Sequence, residues 1–203
     1  MKKIITILFF SVSIVALSQD IKPIEANTEL IEKTQAFFNN YFQQIKAQNW
    51  NELMDNMPKD FLELVGKESL IKQTKQAFNN EAFTTTFNAM DYKSIASAFQ
   101  HENIIYANVN YHNSFTFNFI QTEKQTDKEF NLYVDFMAET FTNKFKDQKV
   151  ERNGKDITIS GEKIILVIDD SKVGALKMLE FDKNMVEFYK LFLAEAVVNK
   201  LSE

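Results

Sequence analysis

The 203 residues contain no cysteine, which excludes disulfide frameworks, thiolate metal sites and cysteine nucleophiles. Four glycines and two prolines are too few for collagen-like or linker-rich architecture. Gly66, Gly154, Gly161 and Gly174 stand isolated, so there is no phosphate-cradling loop and no nucleophile elbow, and nucleotide-dependent chemistry is disfavoured. Arg152 is the single arginine and the net charge is −5; with one guanidinium to fork onto phosphates, nucleic acid is not an expected partner. The two histidines, His101 and His112, have no ligand-spaced companions, so no metal site is expected. Both read as solvated, one in a turn and one on a wet strand face. Asp169-Asp170 lacks the spacing and glycine of a calcium loop and reads as turn chemistry. No cofactor is expected.

What the chain does have is apolar material. It is 45% hydrophobic and 13% aromatic, with 20 phenylalanines, enough to bury a core at a length that suits one domain. Lys2 and Lys3 precede an apolar run from Ile4 to Leu17, and Ala16-Leu17-Ser18 places small residues where a signal peptidase reads. The expected division is a signal peptide over 1–18, a short linker over 19–26 and a single domain over 27–203. The apolar run is shorter than the roughly 20 residues a membrane span needs, and no cysteine follows it to carry a lipid. The mature protein is therefore expected to be exported, periplasmic or extracellular, with no membrane span.

Asn27 can cap a helix whose apolar residues, from Leu30 through Phe38 and Tyr41 to Ile45, recur at helical spacing. Trp50 to Met57 suggests a short second helix ended by Pro58, and Leu70 to Phe78 a third. From Phe83 to Phe99 and from Ile104 to Ile120 the period becomes two, which predicts long strands. In the second, Ile105, Ala107, Val109, Tyr111, Asn113, Phe115, Phe117 and Phe119 share a core-facing parity. A three-residue turn at His101-Glu102-Asn103 would pair Ile105 with Phe99, Val109 with Ile95, Phe115 with Ala89 and Phe117 with Phe87. Strands this long must bend, around Ser94 to Ala98 and Asn113-Ser114. Thr126 and Glu129 form a capping box for a helix to about Phe145, and Asn153-Gly154 signals a hairpin. Glu162 to Ile168 and Ala175 to Phe181 read as further strands, and Met185 onward as a final helix. The fold class is α+β: N-terminal helices packed on a strongly curved antiparallel sheet, a cone-shaped half-barrel, with an extra helix between strands and a C-terminal helix.

An aromatic first helix, a short helix after Asn49-Trp50, a third helix and long bent strands resemble the nuclear transport factor 2-like superfamily. Tyr41-Phe42 through Lys46 to Trp50, Met57-Pro58, Phe61, Leu64, Gly66-Lys67-Glu68, Tyr106-Ala107 and Val109-Asn110-Tyr111 are similar to small secreted bacterial members of unassigned function. The resemblance implies a cone that holds an apolar ligand and, as in the superfamily's ketosteroid isomerases and polyketide cyclases, a first-helix tyrosine with pocket carboxylates. Tyr41 matches that tyrosine in its spacing to Asn49. The base position falls near Val65, with Glu63 the nearest carboxylate and a weak acid/base candidate. No carboxylate lies on the parity of Ile164, Leu166 and Ile168, taken as inward.

In the register above, Asp91 lies on the apolar face opposite Asn113 and diagonal to Tyr111, so Tyr41, Asp91, Tyr111 and Asn113 are the candidate pocket groups, with the helix from Thr126 to Phe145 expected near the pocket's rim. The alternative is that the strands bend there and Asp91 points to water. Three function classes follow. The first is a non-catalytic module holding an apolar small molecule or a partner segment. The second is a cofactor-free isomerase, cyclase or hydrolase using Tyr41 with Asp91 or Glu63. The third is a homodimer through the outer sheet face, with Tyr106 and Tyr92 as contacts.

Overall fold

The computed structural model describes residues 21–203, so the expected signal peptide and its cleavage site lie outside the described residues. Asn27 begins the first helix, α1 (Thr28–Lys46), as its side chain accepts the Leu30 amide at 2.8 Å. Leu30, Thr34, Phe38 and Ile45 form its buried stripe, and Phe38 is wedged against Tyr92 and Tyr111 of the sheet. After Gln48, α2 (Trp50–Asp55) turns Trp50 edge-on to Phe78 at 4.6 Å. Two further helices follow where one was expected, α3 (Lys59–Val65) and α4 (Lys67–Phe78). The apolar stretch at Phe61 is itself helical, and Gly66 makes the corner between the two at φ +81° and ψ 108°, a conformation that residues with a Cβ rarely adopt.

The sheet is a curled antiparallel half-barrel in the order β1-β2-β3-β5-β4, with β6 beside β5. Its strands are β1 (Lys22–Ile24), β2 (Phe83–His101), β3 (Ile104–Phe119), β4 (Lys149–Asn153), β5 (Asp156–Asp170) and β6 (Leu176–Leu179). The stretch expected to be a linker thus supplies an edge strand, β1, paired to the end of β2. β2 spends 19 residues opposite the 16 of β3, and three β-bulges absorb the difference, between Phe87 and Ala89, Tyr92 and Ser94, and Ile95 and Ser97. Each bulge inserts one residue, reverses the side-chain parity of β2 and increases its twist.

The bulges correct the expected register. The turn is two residues long, with Glu102 at φ +54° and His101 opposite Ile104, so Phe99 faces Tyr106 and Ile105 faces Gln100. Val109 faces Ile95 as expected, but Phe87 faces Phe115 and Phe117 faces Thr85. The parity read for β3 stands, with Ala107, Val109, Tyr111, Asn113 and Phe119 buried.

Among the described residues, three of the four groups of buried apolar side chains hold helices on the long strands. On the concave side, α1, α2 and α4 cover Met90, Ala98, Ala107, Val109, Ile165 and Val167. Further along the same side, α5 (Asp127–Lys144), opened by the Thr126–Glu129 capping box, lays Phe130, Val134 and Phe141 over Phe119, Ile157 and Ile159. On the convex side, Phe99, Tyr106, Leu166 and Ile168 are covered by Val197 and Leu201 of α7 (Glu195–Ser202). The expected single C-terminal helix is therefore broken. A 3-10 turn (Lys183–Met185) and α6 (Val186–Tyr189) come first, and Ala194, extended at ψ 138°, separates them from α7. The two parts serve different surfaces, since Phe188 and Phe192 meet Phe61 of α3 whereas α7 crosses the outer sheet face.

That cover also corrects three surface expectations. Tyr106 is buried beneath α7 and stacked on Phe99, and Tyr92 shares the concave face with Tyr111, so neither is available as an outer-face dimer contact. His101 is only 3% exposed, with no hydrogen-bond partner for either ring nitrogen among the described residues; ending a strand rather than lying in the turn, it is not solvated. His112 does lie on the outer face, 3.3 Å from Glu162.

Candidate functional site

A cavity of about 570 Å³ opens between α1, α3, the concave sheet face and the C-terminal segment. Ile45, Phe87, Met90, Ile165 and Met178 give it an apolar wall, and Phe61, Val65, Met185 and Phe188 stand at the helical side. The helix from Asp127 to Lys144, expected near the rim, contributes none of the lining residues. It covers the neighbouring stretch of sheet, and the rim is built by α3 and α6 in its place. Tyr189 fixes that rim: its hydroxyl donates to the Glu180 carbonyl at 2.8 Å and accepts the Asp182 amide at 2.9 Å.

Tyr41, Tyr111 and Asn113 all line this cavity, as expected from the sequence. Burial pushes the Tyr41 hydroxyl up to about 12, with the negative charge of Glu180 adding to the shift. Tyr111 is raised further by burial, then by Glu180 and by Tyr41 itself. Both phenols are therefore neutral hydrogen-bond donors at any physiological pH. Asn113 is 7% exposed, and its Oδ1 has no hydrogen-bond partner among the described residues. Such an orphan is costly and uncommon in a folded core.

Asp91 is not part of the site. The bulge after Phe87 moves Met90 onto the concave face opposite Asn113, and Asp91 faces outward opposite His112, exposed to solvent. Of the two sequence readings for Asp91, the bend holds. Glu63 is likewise turned to water, its side chain 64% exposed and 3.2 Å from Lys59. Neither carboxylate expected to act on a ligand reaches the cavity.

Two charged residues do reach it, and neither was read from the sequence. Lys163 lies opposite Tyr111 on the inward face of β5, and its ammonium is 3.5 Å from Glu180, the residue following β6. The inward parity of β5 is Lys163, Ile165 and Val167, opposite Tyr111, Val109 and Ala107, rather than that of Ile164, Leu166 and Ile168. The run Ile164 to Ile168 is apolar at every position, with Leu166 and Ile168 covered on the outer face while Ile164 is 60% exposed, and this hides the period-two signal. Counting from the Asn153-Gly154 hairpin through Ile157 and Ile159 would have found the correct parity.

Among the described residues no helix is long and apolar enough to cross a membrane. Compared with known proteins, the chain matches no family model, no curated protein and no solved structure.

Proposed function

We propose that this is an exported, non-catalytic binding module of the nuclear transport factor 2-like kind, which holds an apolar small molecule in its cone. The carrying observation is the cavity itself: about 570 Å³, walled by aliphatic and aromatic side chains, with a few polar groups among them. This is the size and chemistry of a small-molecule site. The α+β architecture, with helices on the concave side of a curled half-barrel sheet, is compatible with that superfamily. Solvent-facing Asp91 and Glu63 weigh against the acid/base alternative, which relied on one of them. Export rests on the Lys2-Lys3 and Ile4 to Leu17 pattern.

Native mass spectrometry of the protein purified from its own host tests the reading. A discrete small-molecule adduct, released on denaturation, is the expected result. Bare protein alone, both as isolated and after incubation with an apolar extract of that host, would count against it.

A further inference from the structure

The polar lining of the cavity is asymmetric in its chemistry. Tyr41 and Tyr111 present hydroxyl donors, and no hydrogen bond to another residue occupies either among the described residues. The Asn113 amide, two residues along β3 from Tyr111, offers N–H donors beside its orphaned oxygen. Lys163, opposite Tyr111, adds the ammonium. Donors thus converge from two strands and from α1, and the counter-charge, Glu180, comes from outside the sheet.

The ion pair is unequal. The Glu180 side chain is 75% exposed, whereas that of Lys163 is 29% exposed and built onto the inward strand. Returning Glu180 to water costs little, since exposed ion pairs contribute little. Leaving Lys163 without an anion costs more, because its side chain is the less exposed of the two. A cationic ligand would pair with the member that least needs a partner, and would face the donors of Tyr41 and Tyr111. A ligand acceptor carrying negative charge satisfies Lys163, Tyr41 and Tyr111.

We infer that the ligand class is an apolar carboxylic acid bound as its carboxylate, which replaces Glu180 at Lys163 and accepts from Tyr41 and Tyr111, with its hydrocarbon against Phe87, Met90 and Ile165. This rests on the cavity being a small-molecule site and adds the identity of the head group. Because both phenols stay protonated, the donors do not depend on pH across the physiological range.

Isothermal titration calorimetry at pH 7 with 2-naphthoate and 2-naphthylmethanol tests it, since the two probes share a ring system and differ in charge. We expect 2-naphthoate to bind about tenfold or more tightly, as a partly desolvated charge pair should provide. Lys163→Met should remove about that preference, bringing the ratio of the two affinities close to one. Glu180→Gln should strengthen 2-naphthoate binding severalfold by removing its competitor. Equal affinity of wild-type protein for the two probes, or tighter binding of the alcohol, overturns the carboxylate assignment and leaves the apolar cavity standing. Binding of neither probe overturns both. The wild-type comparison decides the matter even if a variant fails to fold.

Discussion

Tyr41 is where the sequence, the cavity and the electrostatics meet. It holds its proton to about 12 in the folded protein, against 10.0 ordinarily. A group whose folded value is raised gives stability that is full below the unfolded value and lost as pH rises through the folded one. The free energy of unfolding should therefore fall as pH climbs from 10 toward about 12, and Tyr41→Phe should make that fall shallower. Urea denaturation of both proteins across this range checks it; identical slopes would place the Tyr41 hydroxyl in water. Tyr41, Tyr111 and Asn113 were legible in the sequence because α1 and β3 keep an unbroken period. Asp91 was misplaced because one bulge upstream of it reverses every later side chain until the next. Lys163 went unread because the residues after it are apolar on both faces.

At the scale of elements, the helix caps, the strand periods and the bend at Ser94 to Ala98, where a bulge lies between Ile95 and Ser97, were visible, whereas the bulge after Phe87 was not. Asn27 and the Thr126–Glu129 box begin their helices as read. The inserted residues Asn88, Lys93 and Ala96 share no chemistry, and only Ala96 lies within the small-residue stretch Ser94 to Ala98. The other two follow only from the mismatch in strand length, which needs the partner strand to be known. Gly66 is another device that bends the chain, joining α3 to α4 and so setting where Phe61 and Val65 meet the cavity. A Cβ there would find room, with Ser69 Cβ at 3.7 Å, so the cost of Gly66→Ala is conformational rather than steric. That substitution should lower stability by about 1 to 3 kcal/mol. Chemical denaturation measures it, and an unchanged midpoint would mean that the corner can be made without left-handed backbone.

At the scale of the molecule, both faces of one long sheet are put to use. The concave face carries two helical covers in succession, and the gap left beside the first is the cavity. Beneath α7 the convex face is apolar, at Phe99, Tyr106, Leu166 and Ile168, and Ile164 continues it exposed to solvent. Elsewhere it carries hydrogen-bonded polar pairs such as Thr86 with Asn118 and Asn110 with Ser94. The C-terminal segment joins the two sides, with Phe188 at the cavity rim and Val197 behind the sheet. Its break at Ala194 was invisible to periodicity, because Met185 to Val197 keeps helical spacing across the interruption.

The central claim is that the space between α1, α3 and the sheet is a small-molecule site. The most direct test is fluorescence titration with N-phenyl-1-naphthylamine, an uncharged probe that brightens in apolar surroundings, on wild-type protein and on Ile165→Trp. Ile165 faces the cavity from β5, and an indole there fills the space from a rigid strand. We predict saturable binding to the wild type and at least about tenfold weaker binding to Ile165→Trp, with the circular dichroism of the two proteins superimposable. Equal binding to both, or no saturation with the wild type, would contradict the account.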